Sequence, residues 1–209
     1  MGILNILAAL KIVTRRSGAE YRKNLYCEEF RGKKAGLDTH GLVHRALARL
    51  DFEQQLQLVQ RRSEREYELA TDIVVREVVK WCVLMREKGG LTVLPVLDGT
   101  SPPAKAETKA KRATRAATAR EAVLAAGLDA DPKDMTAAAS GCIDSAMIAA
   151  MFTALTRAGF KPRVALKEAD AELARMGRSG EADIVITPDS DLIALGAQPP
   201  GYSTQVAVF

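Results

Sequence analysis

The stretch EADIVITPDSDLIALG, residues 181–196, contains an apolar run that ends in a proline and two closely spaced aspartates. Ile184, Val185 and Ile186 are typical of a strand in the middle of a sheet. Asp189 and Asp191 follow directly, and carboxylates crowded at the end of a buried strand repel each other and resist desolvation. The stretch therefore predicts a buried strand whose terminal acids need a compensating cation or proton.

Segments of the same kind recur along the chain and alternate with helical segments. We predict strands at residues 34–39, 91–99, 160–166, 182–187 and 203–209. We predict helices at residues 40–50, 53–88, 101–141 (with a loop near 127–134), 142–158 and 167–180. Alternating strands and helices are typical of an α/β fold, with a mostly parallel central sheet and helices on both faces.

Acids lie at or just after the ends of four predicted strands. They are Asp38, Asp98, Glu168, Asp170, Asp189 and Asp191. Because ligands bind beyond the carboxyl ends of parallel strands, we expect all six to converge on one sheet edge. Hard oxygen ligands favour Mg²⁺ or Mn²⁺ over zinc, and a pair of such ions is the usual device for phosphodiester hydrolysis. A lone strand-end aspartate is more often a helix N-cap, but that alternative has to hold at four strand ends.

Composition narrows the class of protein. The chain has 209 residues, of which 47% are hydrophobic and 27% charged, which suits one globular domain with a substantial core. Its net charge of +4 is weak evidence for a polyanionic partner. Cys27, Cys82 and Cys142 are far apart, so we predict neither a disulfide framework nor a zinc site. The first eleven residues fit neither a myristoylation signal, a signal peptide nor a membrane span, and we expect an intracellular soluble protein.

Residues 101–141 differ from the rest, because they are rich in Ala, Lys, Arg and Thr and have no large apolar residue before Val123. We predict an exposed helix that projects from the body, makes few contacts and is the most mobile part of the chain. Between residues 105 and 120 six basic side chains accompany the single acid Glu107 and suit phosphate tracking, although a solvated helix face is the alternative. These side chains are Lys105, Lys109, Lys111, Arg112, Arg115 and Arg120.

Four stretches together resemble the flap endonuclease/XPG superfamily of structure-specific 5′ nucleases. They are MGI (1–3), AGLDTHGLVHRAL (35–47), LPVLDGTSPPAKAETKAKR (94–112) and EADAELARMGRSGEADIVITPDSDLIALG (168–196). The resemblance covers nearly the whole chain in the family's order, and the EADA and DSDL motifs are most similar to the exonuclease-one branch. It implies a single PIN-like 5′ nuclease core, with an N-terminal block at 1–100, a basic helical arch at 101–141 and an internal block at 142–209.

The resemblance also implies roles for individual residues. The six strand-end acids would bind two Mg²⁺ ions, with Mn²⁺ as a substitute. Lys105 and Arg112, which are seven apart and so share one helix face, would contact the scissile phosphate. The His44 ring would stack on a substrate base near the cut, although a surface histidine is the plainer explanation. Gly2 would lie close to the active site.

The implied activity is a metal-dependent 5′–3′ exonuclease or flap endonuclease that cuts DNA near free 5′ ends, flaps or nicks. The resemblance also implies a role in DNA repair and replication and, in a eukaryote, a nuclear location. RNA is an alternative substrate. No membrane or protein partner is indicated. Two other functions stay open: a non-catalytic nucleic-acid-binding or scaffold relative, and a PIN-type RNase, although PIN domains are usually shorter and lack the long basic insertion.

One feature departs from the family. Its members usually have a seventh carboxylate and a duplex-gripping helix-two-turn-helix after the last predicted strand, and we expect both to be absent because the sequence stops at Phe209. This departure leaves duplex binding and the affinity of the second metal open.

Overall fold

The computed structural model describes residues 30–61 and 63–187, and the main chain of 205–208. Its strands are β1 (Lys34–Asp38), β2 (Thr92–Leu97), β3 (Arg163–Val164), β4 (Ile184–Thr187) and β5 (Gln205–Val208). They form one sheet in the order β3-β2-β1-β4-β5, and every neighbouring pair is parallel. The predicted α/β fold with a parallel sheet is confirmed.

Seven α-helices occur within the described ranges. They are α1 (Thr39–Leu47), α2 (Phe52–Gln60), α3 (Glu64–Glu87), α4 (Ala106–Ala126), α5 (Pro132–Ser140), α6 (Ser145–Arg157) and α7 (Ala169–Ser179). Short 3₁₀ turns at Pro103–Lys105 and Gly127–Asp129 precede and follow α4.

The strand register brings the ends of the strands to one edge of the sheet. In the pairing of β1 with β2, Asp38 is opposite Val96, and in the pairing of β2 with β3, Leu97 is opposite Val164. Because β1 and β2 are both central and parallel, the segments that follow them leave the sheet on the same side. This register carries the acids after β1 and β2 to a common edge.

The described residues group into two compact units. The first consists of 30–41, 82–100, 160–187 and 205–208, and it contains the whole sheet and α7. The second consists of 42–81 and 101–159, and it contains α2, α4, α5 and α6. A single nuclease core with an inserted arch stays a prediction.

In the first unit, α7 packs on the sheet through fully buried side chains. Leu173 and Met176 of α7 contact a cluster that includes Val96 and Val185. The helix approaches β1 closely at Gly36, where an added Cβ would lie 2.9 Å from the Leu173 Cδ2 atom. Apolar burial of this kind, about 25 cal/mol per Å² of apolar area, supplies the main force that holds α7 against the sheet.

An exposed ion-pair network also holds α7. Arg163 pairs with Glu172 at 2.7 Å and with Glu181 at 2.5 Å, and Arg175 pairs with the same two acids at 2.8 and 2.6 Å. The network joins β3, the middle of α7 and the segment before β4. Hydrogen bonds from Arg175, only partly opposed by desolvation, lower the pKa of Glu172 to about 2.

In the second unit, the prediction of one continuous helix over 53–88 is wrong. Helix α2 ends at Gln60, because Arg61 adopts a left-handed conformation with φ 47° and donates its N–H to the Gln57 carbonyl. Ser63 then accepts a hydrogen bond from the Glu66 N–H at 3.2 Å and starts α3. Ser63 and Glu66 form a Ser-x-x-Glu pattern, which is a known start signal for helices. The prediction missed this signal because the apolar periodicity continues on both sides of it.

The break is held by a distant contact. The Arg61 guanidinium forms an ion pair with Asp144 and lies 3.9 Å from the centre of the Tyr67 ring. Asp144 also caps α6 by accepting the Met147 N–H at 2.9 Å. The ion pair links residues 83 positions apart in the chain, so local sequence patterns do not indicate it.

The expectation of few contacts holds for only half of residues 101–141. From Lys105 to Thr118 the side chains are exposed, apart from a half-buried Ala116. From Ala119 onward the segment packs into the second unit, where Val123 and Met135 are fully buried. A Cβ added at Gly141 would lie 2.7 Å from that of Ala116, so the chain segments approach closely there. The expectation was wrong for this part, because small alanines allow close helix packing without large apolar residues.

No single helix among the described residues is long and apolar enough to cross a bilayer. Helices α5 and α6, bent by 73° with respect to each other, meet the length and composition requirement only when taken as a pair.

Candidate metal centre

Asp38 is the last residue of β1, and its carboxylate is buried. Its Oδ1 atom accepts the Gly41 N–H at 3.1 Å, so Asp38 caps α1, and its Oδ2 atom lies 3.3 Å from the Thr187 hydroxyl at the end of β4. Burial raises the pKa of Asp38, and Asp98 raises it further, while the Gly41 hydrogen bond and His40 oppose the rise. Asp38 therefore serves as an N-cap and also carries a charge that the fold leaves poorly compensated.

Asp98 follows β2 and is bonded to the start of α7. Its Oδ1 atom accepts the Ala169 N–H at 2.7 Å, and its Oδ2 atom lies 3.7 Å from Nδ1 of His40. Ala169 is the first residue of α7, so a side chain from β2 satisfies one of the N–H groups that a helix start leaves unpaired. The bond brings Asp98 next to the chain segment that carries Glu168 and Asp170.

Glu168 and Asp170 lie on either side of that bond. Glu168 is the N-cap residue of α7, but its side chain makes no capping hydrogen bond, and Asp170 lies in the first helical turn. Both side chains are half-buried. Four of the six predicted acids therefore lie at the ends of β1 and β2 and at the start of α7, all within the first unit.

The other two predicted acids, Asp189 and Asp191, lie outside the described residues, as does Gly2. Within 30–61 and 63–187, no three His, Cys, Asp or Glu side chains are grouped closely enough to hold a metal ion. The convergence of all six acids therefore stays a prediction.

The residues that are described fit a divalent cation by their chemistry. The donors are carboxylate oxygens, which Mg²⁺ and Mn²⁺ prefer. The buried Asp38 carboxylate interacts with Asp98, and burial together with Asp98 outweighs its hydrogen bonds to Gly41 and Thr187 and the effect of His40. A bound cation would offset the repulsion and the cost of burial that together raise the pKa of Asp38.

The basic candidates belong to the second unit. Lys105 ends a 3₁₀ turn and precedes α4, and the other five side chains lie along α4, all of them exposed. Lys111 pairs with Glu107 at 2.7 Å, an exposed pair of small energy. The Arg120 Nε atom donates to the Val59 carbonyl at 3.2 Å and so caps the end of α2. His44 is exposed on α1.

His40 is a candidate that the sequence analysis missed. It lies in the first turn of α1, with Nδ1 3.7 Å from Asp98 Oδ2, and it lowers the pKa of Asp38. The sequence could have indicated His40, because it lies two residues after the strand-end acid Asp38. A residue in the first turn of a helix lies next to the residue that caps the helix. The resemblance to the 5′ nucleases indicated only His44, one turn further along.

The chain matches one family model over part of its length and is similar to a curated protein. The family described as the XPG I-region matches residues 159–200, which include Glu168 and Asp170. Exodeoxyribonuclease 1 of Schizosaccharomyces pombe is 29% identical over 203 residues, which cover 95% of this chain and 32% of that protein. The chain therefore spans about a third of the length of this curated relative.

Two solved structures share the fold. The catalytic core of Rad2 in complex with DNA substrate superposes with a TM-score of 0.50 at 19% identity, over 88% of this chain and 48% of that one. Human GEN1 in complex with Holliday junction DNA gives a TM-score of 0.53 at 13% identity, over 88% of this chain and 38% of that one. With the I-region match and the similarity to the yeast protein, the sequence and the parallel sheet of this chain are similar to those of the flap endonuclease/XPG superfamily.

Proposed function

We propose that the chain is a metal-dependent 5′ nuclease that hydrolyses DNA phosphodiesters near free 5′ ends, flaps or nicks. One observation carries the proposal: Asp38 ends β1, Asp98 follows the adjacent parallel strand β2, and Asp98 is bonded at 2.7 Å to the helix start that carries Glu168 and Asp170. Similarity to an exodeoxyribonuclease over 95% of the chain supports the same activity.

Two Mg²⁺ ions, with Mn²⁺ as a substitute, would be held by these four acids together with Asp189 and Asp191. Ions at such a site supply an activated water and stabilise the leaving oxygen of a phosphodiester. The protein's contribution is to hold the carboxylates in fixed orientations. Asp38 is held through the Gly41 N–H, and Asp98 through the Ala169 N–H.

We further propose that Lys105 and Arg112 contact the scissile phosphate. Both are exposed, and their seven-residue spacing puts them on one side of the start of α4. The remaining basic side chains (Lys109, Lys111, Arg115 and Arg120) would track the phosphate backbone. His44 would stack on a base near the cut, and Gly2 would lie near the active site.

DNA is the proposed substrate, and a eukaryotic member would act in the nucleus in DNA repair and replication. The support is indirect: the Rad2 and GEN1 cores were solved with DNA, and the matching yeast protein is named an exodeoxyribonuclease. Preference among flaps, nicks and free ends is part of what the next experiment determines.

The test is cleavage of 5′-labelled flap, nicked and single-stranded DNA by the purified chain with Mg²⁺, Mn²⁺ or EDTA. We expect cleavage near the 5′ end or the junction with either metal and none with EDTA. Matched RNA substrates form a second arm, because preferential RNA cleavage would favour a PIN-type RNase. Cleavage in EDTA at the same rate as in Mg²⁺ would overturn the metal-dependent mechanism.

A second candidate is a non-catalytic relative that binds nucleic acid. The observation that favours it is the row of exposed basic side chains on α4, which would bind a phosphate backbone without a metal. The same assay separates the candidates, because this relative would shift DNA in a gel and leave it uncut with either metal.

A further inference from the structure

Strand β3 is too short to fix the start of α7 by its own ladder. It has two residues, which pair only with Val96 and Leu97 of β2. Four residues, 165–168, separate its end at Val164 from the beginning of α7, and the last of them is Glu168. Something beyond the ladder has to determine where the α7 acids lie relative to Asp98.

The segment after β2 provides this fixation by continuing along the segment after β3. The Ala165 N–H bonds to the Leu97 carbonyl at 2.9 Å, and the Gly99 N–H bonds to the Lys167 carbonyl at 2.6 Å. The Thr100 hydroxyl donates to the Leu166 carbonyl at 2.8 Å. With the Asp98–Ala169 bond, these contacts join 97–100 to 165–169, and we call the paired segments the strand-end clamp.

Gly99 allows the clamp to close. A Cβ built there would overlap the Ala165 carbonyl oxygen, and it would lie 2.9 Å from the Ala165 carbonyl carbon and 3.0 Å from the Lys167 oxygen. These neighbours are backbone atoms, which cannot rotate away as a side chain can. Any larger residue at position 99 therefore has to push the two segments apart.

We propose that Gly99 and Thr100 are positioning residues for the metal centre, which hold Asp98 at a fixed distance from Glu168 and Asp170. The inference rests on the proposed function, because it takes these acids as metal ligands. Neither residue would touch a metal or substrate. Partners of this kind, which orient a ligand, typically affect metal affinity by 10- to 100-fold.

The test compares Mn²⁺ binding by the whole chain and three variants, measured by calorimetry or by electron paramagnetic resonance. Thr100→Val removes the hydroxyl bond at nearly constant shape, and we expect a dissociation constant about two- to tenfold higher. Thr100→Ser keeps the hydroxyl and should restore wild-type affinity. Gly99→Ala should raise the dissociation constant by about tenfold or more.

Gly36→Ala is the matched control for loss of stability. Its Cβ would also be crowded, at 2.9 Å, but the neighbour is the end of the flexible Leu173 side chain. We expect Gly36→Ala to lower the melting temperature in EDTA and to leave Mn²⁺ affinity within about twofold of wild type. If Gly99→Ala does not fold, the Thr100→Val and Thr100→Ser pair still decides the question.

The inference is overturned if Thr100→Val binds Mn²⁺ as tightly as wild type, or if Thr100→Ser fails to restore binding that Thr100→Val has lost. Failure of the proposed function looks different. In that case the wild-type chain binds Mn²⁺, the variants respond as expected, and DNA stays uncut. If the wild-type chain cuts DNA but Thr100→Val binds Mn²⁺ with unaltered affinity, the positioning role alone is overturned.

Discussion

Asp38 is a buried carboxylate with two structural partners and an acidic neighbour. Burial, followed by the nearby Asp98, raises its pKa above the ordinary value of 3.8. Between that value and the higher folded-state pKa, the folded chain binds more protons than the unfolded chain. Stability therefore falls as pH rises through this range, and at neutral pH the ionised carboxylate destabilises the metal-free protein.

We predict that Asp38→Asn melts at a higher temperature than wild type at pH 7 in EDTA. Asparagine caps a helix as well as aspartate does, so the bond to Gly41 can persist while the charge is lost. The gain should shrink as pH falls through the raised pKa of Asp38 towards 3.8, and it should be absent below that value. Thermal unfolding by circular dichroism measures it, with the exposed Asp129→Asn as control. Saturating Mg²⁺ should raise the melting temperature of wild type and not that of Asp38→Asn. A melting temperature for Asp38→Asn below that of wild type, at pH 7 in EDTA, would contradict the prediction.

Helix α4 has two halves with different roles. Around Arg112 the side chains are exposed, whereas from Ala119 the helix packs into the second unit. Arg120 lies on the packed half and donates from Nε to the Val59 carbonyl at 3.2 Å. The two arginines, which the sequence presents as equivalent members of a basic stretch, therefore differ in their attachment to the fold.

We predict that Arg112→Ala lowers the single-turnover cleavage rate by about 10²–10³ and changes stability by less than about 0.5 kcal/mol.

Arg120→Ala should weaken DNA binding and reduce the salt dependence of that binding, with a near-normal cleavage rate at saturation. It should also lose about 1 kcal/mol of stability with the Val59 bond. Quench-flow cleavage, salt titrations and urea unfolding measure these effects, with Arg157→Ala, an exposed arginine outside the basic stretch, as the control. Equal losses of binding alone in both variants would reduce Arg112 to a surface charge.

Local patterns were sufficient to predict the parallel sheet and the four described acids near its edge. The reason is that strand periodicity and a charge after each strand are both properties of short segments. The patterns did not predict the α2–α3 break, because Arg61 is held in its left-handed conformation by Asp144, 83 residues away. Nor did they predict the bond from Asp98 to Ala169, which spans 71 residues. Contacts of this range depend on the completed fold.

At the scale of the whole molecule, the residues proposed to act belong to two compact units. The carboxylates Asp38, Asp98, Glu168 and Asp170 belong to the sheet-containing unit, and the basic face of α4 belongs to the other. The central claim is that the strand-end carboxylates bind the metal that catalyses DNA cleavage. Asp98 is the best residue for a test, because its structural bond and its charge can be separated.

The most direct measurement is single-turnover cleavage of a 5′-flap DNA in Mg²⁺ by wild type and by Asp98→Asn. Asparagine keeps an oxygen that can accept the Ala169 N–H, so the fold should be retained, which circular dichroism and the melting temperature check. We predict that wild type cuts the flap and that Asp98→Asn, equally folded, cuts it at least about 10²-fold more slowly. Cleavage by Asp98→Asn at the wild-type rate, or no cleavage by a folded, Mg²⁺-saturated wild type, would contradict the account.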